Sequence, residues 1–390
     1  MFEKVMNKIS LTIEKINNIN SLETIKPVWN SLLEINDIKT IELTYEWQIT
    51  FWQQFHQEAE LFVLIVREAG SIIAISPLKL TIKLVLGIKI RCLEIIAART
   101  SNYQDLIIGK NSEDVLVSIL DYLISNRGSW DQLSLRHIPE TSTTAHFFLE
   151  KLGNYPLLKI TETEKCAYLA LDKSWKEHKK SLGQNRRHQM NRRMRRIERE
   201  LGKIQLRKSA TEDQLISDLQ VFFNLHRKRW NLTDTPSQFI DTRYCKFYSE
   251  VGLQLMPKGQ IGLTILEAGG TTLALLFFFT FRQNVVLQLN AFDPDYSYYS
   301  PMVVLLELFI EESLASGIDE IDFGSYYPYK ETWTNQLKNR VNLLVFPKRF
   351  LPSSIYSLTK LYQALHSMIR KHPRILNIIK IILRRIRILK

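Results

Sequence analysis

The stretch AFDPDYSYYSPMVVLLELFIEESLASGIDEIDFG, residues 291–324, carries a clear signal of local structure. It follows an apolar run at residues 285–289, crosses a loop rich in Pro and Asp, and continues through a helical pattern into a second apolar run at residues 318–323. Pro301 suits the first position of a helix, and Ser300 suits the N-cap before it. The stretch therefore predicts a strand, loop, helix and strand in succession, which is typical of a layered α/β or α+β domain.

The loop before this helix is a candidate anion site. The first backbone N–H groups of a helix have no intrahelical partner, and they lie at the positive end of the helix dipole. Phosphate groups bind at such positions, so residues 298–302 are candidates for contact with a phosphorylated ligand. An ordinary capped helix without a ligand is the alternative interpretation of the same residues.

The same series of elements occurs twice along the 390 residues. Residues 62–78 and residues 261–279 each form two apolar runs around a Glu-Ala-Gly turn, which predicts a β-hairpin. Each hairpin is followed by a helical stretch and a short buried strand. We therefore expect two similar α/β (α+β) domains with mixed sheets and flanking helices, at residues 1–162 and 163–350, and a helical tail at residues 351–390.

A polar aromatic cluster follows the last short strand of the second half. The segment IDFGSYYPYKETWTN, residues 321–335, places Asp322 at a strand end and then supplies a group of rings and one cation: Tyr326, Tyr327, Tyr329, Lys330 and Trp333. A kinase Asp-Phe-Gly motif is excluded because the chain contains no Gly-x-Gly loop. A packed aromatic plug is the alternative. The first half has no such cluster, so we expect one site, in the second half, and a non-catalytic first half.

An arginine-rich helical stretch precedes the second hairpin. Seven arginines lie between residues 186 and 199, with Glu198 and Glu200 as the nearby acids. This excess indicates an anionic partner, namely substrate phosphates, an acidic lipid surface or nucleic acid, or else a solvated face. His226 and Trp230 lie one turn apart on the next helical stretch, where a packed pair is the alternative to a substrate contact. The eight histidines show no metal-binding spacing, so no metal is expected.

The composition is that of an ordinary globular protein, with 45% hydrophobic and 24% charged residues. Three cysteines and the lack of a secretory signal or a membrane-spanning apolar run predict a cytoplasmic protein. Residues 351–390 contain nine Lys or Arg and no Asp or Glu. Within them, residues 374–390 form a basic amphipathic pattern that favours contact with anionic lipid at the inner face of the membrane. A helix docked on the protein body is the alternative.

In order and spacing, the second half resembles the acetyltransferase domain of the CelD-like proteins associated with cellulose biosynthesis, which belong to the GNAT superfamily. The resemblance is carried by CAYLAL at residues 166–171, the arginine-rich stretch, FFNLHRKRW at residues 222–230, the hairpin and residues 291–333. The paired layout is similar to that of the Fem-type peptidoglycan aminoacyltransferases. The resemblance covers most of residues 25–345, and it departs from the family at Met302, where relatives tend to have glycine.

The resemblance implies two tandem GNAT-like domains and an N-acyltransferase that uses acetyl-CoA or another acyl-CoA. The donor would bind where the strand before the loop separates from its neighbour. The acceptor would be a small-molecule or saccharide amine, such as an amino sugar in cell-envelope or exopolysaccharide assembly. Two alternatives remain, a Fem-like transfer from aminoacyl-tRNA and a non-catalytic membrane-associated binding module. Nucleic acid is expected as a partner only in the first of these.

The resemblance also gives individual residues candidate roles. Asp322 is the candidate base, and Tyr326 or Tyr329 is the candidate acid. Backbone N–H groups near Asn290 and Ala291 would donate hydrogen bonds to the oxyanion. The expected donor contacts are Asn290, Ala291, Tyr299, Ser300, Met302 and Lys330. The expected acceptor contacts are Arg187, His226, Trp230 and Trp333.

Overall fold

The computed structural model describes residues 10–35, 40–85, 87–172, 177–178, 180 and 183–371. In chain order its α-helices are α1 (Ile19–Thr24), α2 (Lys26–Ile35), α3 (Tyr45–Phe55), α4 (Ser112–Ser125), α5 (Thr143–Glu150), α6 (Gln184–Leu201), α7 (Glu212–Trp230), α8 (Thr242–Leu255), α9 (Pro301–Ala315) and α10 (Phe350–Lys371). Its strands are β1 (Leu11–Ile16), β2 (Ala59–Leu61), β3 (Val63–Glu68), β4 (Ser71–Ser76), β5 (Leu78–Val85), β6 (Ile88–Ile95), β7 (Ile107–Ile108), β8 (Gln132–Pro139), β9 (Leu157–Ala170), β10 (Ile204–Lys208), β11 (Ile261–Ala268), β12 (Thr271–Phe281), β13 (Asn284–Phe292), β14 (Glu320–Ser325) and β15 (Leu337–Pro347).

Two sheets form the framework of the described residues. The smaller sheet has the strand order β1-β3-β4-β7, and the larger has the order β10-β11-β12-β13-β14-β9-β15-β8-β6-β5-β2. Two neighbouring pairs are parallel, β6 with β8 and β13 with β14, and each is connected through a helix of its own half. The mixed sheets and flanking helices confirm the predicted α/β (α+β) class.

Both predicted hairpins are present, as β3–β4 and β11–β12. Their turns consist of two residues with positive φ, Ala69 and Gly70 in the first and Gly269 and Gly270 in the second. Two-residue turns of this kind match the right-handed twist of the paired strands. The turn chemistry visible in the sequence was therefore sufficient to locate both hairpins.

The two halves of the chain share the larger sheet. The predicted boundary between residues 162 and 163 falls inside β9, and β15 lies between β9 and β8. In the core, the Trp47 ring of α3 lies 4.9 Å from Phe247 of α8 and 4.8 Å from Phe279 of β12, measured between ring centres. The halves therefore pack around a common core, and side chains of the first half can reach a site in the second.

The helix α10 begins the predicted tail and packs Ile355 into the core. Residues 374–390, which carry the prediction of a membrane-surface helix, lie outside the described residues. Among the helices that the structure does describe, none combines the length and the apolar character needed to cross a bilayer.

The turn between β11 and β12 provides a test of the packing of α6. A Cβ on Gly269 would lie 2.0 Å from the carbonyl oxygen of Leu201, the last residue of α6, whereas a Cβ on Gly270 would meet nothing within 4 Å. Both glycines have positive φ, so alanine is strained at either position. We expect Gly270→Ala to lower the free energy of unfolding by about 1 kcal/mol and Gly269→Ala by about 3 kcal/mol.

Urea unfolding of the two variants measures the difference. Gly270→Ala is the matched control, because it carries the backbone strain without the contact with Leu201. Equal losses of stability in the two variants would contradict the close approach of α6 to this turn.

Candidate active site

A gap between two neighbouring strands marks the candidate active site. β13 and β14 pair in parallel over three residue pairs, of which the last joins Val286 to Asp322. Both strands continue beyond this point, to Phe292 and Ser325, without further pairing to each other. The strands therefore diverge, as the GNAT resemblance implies, and the gap opens into a cleft of about 930 Å³.

A β-bulge at Gln288 lies beside this gap. The register between β12 and β13 shifts at Phe277 and Phe278, which leaves Gln288 as the extra residue of β13. Its side chain donates to the carbonyl of Thr100 at 2.7 Å and accepts a hydrogen bond from the side chain of Asn102. The bulge is thus held by a loop from the first half of the chain.

The peptide groups of β13 alternate in direction beyond the bulge. The N–H of Asp293 donates to the carbonyl of Leu273, toward β12, at 3.0 Å. Because successive peptides of an extended strand point in opposite directions, the N–H of Asn290 faces the gap and that of Ala291 faces β12. The predicted backbone donor at Asn290 is therefore well placed for a developing oxyanion. The N–H of Ala291 points toward β12 and is not available to the gap.

The cleft is cationic. Its charged lining residues are Arg186, Arg193, Arg229 and Lys330, and no Asp or Glu of the described chain lines it. Most of the remaining wall is apolar or aromatic: Met190, Leu276, Leu287, Leu289, Phe292, Met302, Val303, Leu306, Phe323, Tyr327, Tyr329 and Trp333. A cleft of this composition suits a ligand that combines negative charge with an apolar part.

The arginine-rich helix α6 contributes Arg186 to the cleft. The Arg186 guanidinium lies 4.3 Å from the ring centre of Trp333 and 3.9 Å from the carboxylate of Glu307. Trp333 lines the cleft, although its side chain is largely buried, and its role as an acceptor contact stays a prediction. Arg187, the arginine chosen from the sequence, donates instead to the carbonyl of Lys180 at 3.1 Å and does not line the cleft. Neighbouring residues of a helix point in different directions, and the sequence alone did not show which arginine faces inward.

Asp322 lies beneath the cleft and does not line its wall. One carboxylate oxygen accepts from the Tyr103 hydroxyl at 2.6 Å and from the Lys338 ammonium at 2.7 Å, and the other accepts from the N–H of Gly324 at 2.6 Å. The residue is 1% exposed. Both oxygens are therefore engaged by protein donors, so the geometry supports a structural role. The base role stays a prediction from the sequence.

The Lys330 ammonium forms hydrogen bonds with the backbone at the end of β14. It donates to the carbonyl of Ser325 at 2.7 Å and to the carbonyl of Phe323. Burial lowers the pKa of Lys330, whose side chain lines the cleft close to the strand end. Because an ammonium has three N–H groups, one of them is left for a ligand.

The two candidate acids occupy different environments. Tyr329 lines the cleft, is 62% exposed, and stacks on Tyr327 with 6.3 Å between ring centres. Tyr326 donates its hydroxyl to Glu331 and does not line the cleft. The hydrogen bond to Glu331 raises the pKa of Tyr326 above its ordinary value. Of the two phenols, Tyr329 is the one that the structure brings to the site.

His226 and Trp230 form a packed pair away from the cleft. Their rings stack at 5.6 Å, and Nδ1 of His226 lies 2.8 Å from the hydroxyl of Ser237. Burial lowers the pKa of His226 to about 4, so the imidazole is neutral at pH 7. Neither side chain lines the cleft. The packed-pair alternative therefore describes His226 and Trp230, and Trp333 is the tryptophan that lines the cleft.

The loop before α9 differs from the expected cap. Ser300 has a left-handed backbone (φ 52°, ψ 52°), and its side chain makes no capping hydrogen bond. Its carbonyl oxygen accepts from the N–H groups of Val303 at 3.0 Å and Val304 at 3.3 Å. Met302 lines the cleft, while the Tyr299 hydroxyl donates to Glu200 of α6 at 3.1 Å, outside it. Of this loop, the Met302 side chain therefore makes the contact with the cleft.

Sequence reasoning missed the contribution of the first half. Asn102 lines the cleft, and Tyr103, beside it, donates to Asp322. The Glu42 carboxylate accepts the N–H groups of Asn102 at 2.5 Å and Tyr103 at 2.7 Å, which fixes this loop under the gap. Arg340 donates to the carbonyl of Asn102 and to the hydroxyl of Ser325, each at 2.7 Å. A polar loop in a half without an aromatic cluster carried no sequence signal for this role.

Burial of Glu42 makes a pH dependence of stability testable. Desolvation raises the pKa of Glu42 to about 7 in the folded protein, against 4.5 as the ordinary value. Between these values the folded state binds more protons than the unfolded state, so stability falls as pH rises through this window and is level outside it. We expect the Glu42 carboxyl group to account for a fall of about 3 kcal/mol in the free energy of unfolding across this window, and we expect Glu42→Gln to lack that fall.

Urea unfolding at a series of pH values between 4 and 8.5 measures this effect. Asp105 is the control, because burial raises its pKa only to about 6. Asp105→Asn should therefore leave the decline between pH 6 and 7 in place. Parallel pH profiles for wild type and Glu42→Gln would contradict the buried environment of Glu42.

The sequence of the second half matches a known family of domains. Residues 184–331 match the family model described as acetyltransferase (GNAT) domain. This range contains α6, the splayed strands and the helix α9, which supply most of the residues that line the cleft. The second half of the chain therefore carries a GNAT-type acyltransferase fold. No curated protein matches the sequence significantly.

Solved structures extend the likeness to both halves. The crystal structure of FemX aligns with a TM-score of 0.60 at 11% identity, over 88% of this chain and 99% of that one. A domain assigned to a lysylphosphatidylglycerol synthetase of Agrobacterium fabrum aligns with a TM-score of 0.52 at 12% identity, over 86% and 95%. A conserved protein of unknown function from Bacteroides thetaiotaomicron aligns with a TM-score of 0.53 at 7% identity, over 86% and 100%. At these identities the likeness concerns the fold.

Proposed function

We propose that the protein is an acyl-CoA-dependent N-acyltransferase that transfers an acyl group, acetyl in the simplest case, to an amine. The proposed acceptor is an amino sugar or a related precursor in cell-envelope or exopolysaccharide biosynthesis, as in the CelD-like proteins. The observation that carries the proposal is the gap between β13 and β14, which opens into a cationic cleft beside the N-terminus of α9. The match of residues 184–331 to a GNAT domain supports it.

The residues of the cleft fit an acyl-CoA. The arginine side chains of α6, Arg186 and Arg193, suit its phosphates, and the leucine-rich wall suits its apolar arm. Met302 stands where relatives have glycine, so the start of α9 offers a side chain where close backbone approach is usual. We propose that Arg193, on the α6 wall, supplies part of the phosphate contact instead.

The proposed chemistry is attack of a neutral amine on a thioester carbonyl. The donor supplies the activated acyl group. The N–H of Asn290 stabilises the oxyanion as the C–N bond forms. The amine proton passes to water, since no described carboxylate or histidine lines the cleft. When the C–S bond breaks, the Tyr329 phenol donates a proton to the thiolate.

Transfer from an aminoacyl-tRNA is the second candidate function. The alignment with FemX, over 88% of this chain, favours it, as does the arginine-rich helix α6, which would contact tRNA. Calorimetric titration of the full chain separates the two proposals. Saturable binding of acetyl-CoA without affinity for tRNA supports the acyl-CoA function, and the reverse pattern overturns it. Binding of neither would favour a non-catalytic module.

We propose a cytoplasmic location with residues 374–390 in contact with an anionic membrane surface. The support is the charge of residues 351–390, which contain no Asp or Glu. Sedimentation with phosphatidylglycerol vesicles, compared between the full chain and a chain ending at residue 371, tests this contact. Equal sedimentation of the two proteins would reject it.

A further inference from the structure

One cation of the cleft is held in place by polar and aromatic contacts without an ion pair among the described residues. Arg229 lies at the end of α7, lines the cleft, and donates to the side-chain oxygen of Asn290 at 3.1 Å. Its guanidinium lies 4.7 Å from the ring centre of Phe292. These two contacts fix the orientation of the group while using one of its five N–H donors. In the part of the chain that the structure describes, no carboxylate forms an ion pair with it.

Among the described residues, Arg229 differs from several partly buried arginines that have a carboxylate partner, and it differs from Arg193, the other cleft arginine without an ion pair, in its contacts with Asn290 and Phe292. Arg207, Arg340 and Arg91 each pair with a carboxylate at 2.7 to 3.0 Å. Within the cleft, Arg186 has Glu307 nearby, and the ammonium of Lys330 donates to two carbonyls. Burial lowers the pKa of the Arg229 guanidinium. A half-buried charge without a counter-ion is costly, and a bound anion would offset that cost.

The position of Arg229 indicates which part of a ligand it meets. Its hydrogen-bond partner, Asn290, is the residue whose N–H faces the gap, where the reacting carbonyl is expected. The phosphates are expected farther along the chain, at the start of α9, on the other side of the loop at residues 293–299. The adjacent Lys228 is already paired with Asp293 and Asp295 of that loop. An anionic group held by Arg229 therefore lies beside the reaction centre.

We propose that Arg229 binds a carboxylate of the substrate next to the reacting carbonyl. The inference rests on the proposed acyltransferase function and narrows its substrate class. A planar guanidinium matches a carboxylate through two parallel hydrogen bonds. The carboxylate belongs either to the transferred acyl group, as in a dicarboxylic acyl thioester, or to the acceptor, as in an amino sugar that carries an acid.

The first arm of the test concerns the donor. Calorimetry of the full chain compares succinyl-CoA with acetyl-CoA, which differ by a carboxylate on the acyl group. If the acyl group carries the carboxylate, wild type should bind succinyl-CoA at least tenfold more tightly than acetyl-CoA. Arg229→Gln should bind the two donors with about equal affinity. Arg193→Gln is the matched control. It removes a cleft cation that is carried by α6, and it should weaken the binding of both donors alike.

The second arm concerns the acceptor. Initial rates with acetyl-CoA are compared for muramic acid and glucosamine, which differ by a carboxylate-bearing side chain. A tenfold preference for muramic acid that is lost in Arg229→Gln, but kept in Arg193→Gln, assigns the carboxylate to the acceptor. The inference is wrong if neither arm shows a preference for the carboxylate, or if the preference survives in Arg229→Gln. In that case, binding of acetyl-CoA by the wild type would still support the proposed acyltransferase function. If neither acetyl-CoA nor succinyl-CoA binds the wild type, both the inference and the proposed function fail.

Discussion

Replacing Asp322 by alanine should lower the free energy of unfolding by about 3 kcal/mol. The carboxylate is 1% exposed and accepts three hydrogen bonds, from Tyr103, Lys338 and Gly324. Its removal leaves the buried Tyr103 hydroxyl and the Gly324 N–H without their acceptor, and it leaves the Lys338 ammonium with Glu320 alone. Desolvation, with the Asp322 carboxylate next in importance, raises the pKa of Tyr103 far above its ordinary value, so this hydroxyl remains a donor at all working pH values.

Glu320→Ala is the matched control for this prediction. Glu320 pairs with the same ammonium of Lys338 at 2.7 Å, but its side chain is 25% exposed. Surface pairs of this kind contribute about 1 kcal/mol or less, so urea unfolding should show a small loss. If Asp322→Ala destabilises the protein no more than Glu320→Ala does, the structural role of Asp322 is wrong.

The base role of Asp322 needs a separate measurement. If the carboxylate accepts the amine proton, Asp322→Asn should lower kcat by about 100-fold or more. The comparison is valid for variant protein that gives the wild-type circular dichroism spectrum and binds donor normally. An unchanged kcat would remove Asp322 from the mechanism and leave only its contacts with Tyr103 and Lys338.

Asn290→Pro should lower kcat by about 100-fold to 1,000-fold, because it removes the N–H that faces the gap. Proline is compatible with an extended strand where the N–H makes no ladder hydrogen bond, and the alternation of β13 gives Asn290 such a position. Donor affinity should change much less than kcat, since the oxyanion develops only in the transition state. Initial rates with acetyl-CoA and a primary amine provide the measurement.

The control for this substitution is Asn290→Ala. Alanine keeps the backbone N–H and removes the side-chain contact with Arg229, so it separates the two functions of the residue. We expect Asn290→Ala to retain kcat within about tenfold. A folded Asn290→Pro protein with the kcat of Asn290→Ala would show that this N–H does not face the reacting carbonyl.

Much of the local structure could be predicted from the sequence. The stretch at residues 291–324 specifies its own strand, loop and helix through the Pro301 position and the apolar periodicity, and the Gly269-Gly270 turn specifies the β11–β12 hairpin. These signals depend on neighbouring residues. The insertion of β15 between β8 and β9 depends on pairing between distant segments, so no local pattern predicted the common sheet.

Less of the candidate site than of the fold could be predicted from the sequence. Of the residues chosen from the sequence, the structure brings a subset to the cleft, and their roles there stay predictions: Asn290, Met302, Tyr329, Lys330 and Trp333. Asp322 was expected at the cleft because it ends a strand, but the Tyr103 side chain that engages it lies 219 residues away along the chain. The contributions of Asn102 and Arg229 likewise depend on tertiary contacts, and a helical wheel could not tell Arg186 from Arg187 without the position of the sheet.

Hydrogen–deuterium exchange of the full chain, with and without saturating acetyl-CoA, tests the central claim that donor binds between the splayed strands. We predict slower exchange in peptides that cover residues 287–292 of β13 and residues 301–306 of α9. Peptides that cover the first-half hairpin at residues 63–76 should be unchanged. Binding of acetyl-CoA with protection confined to other regions, or no protection at all, would contradict the assignment of this cleft as the donor site.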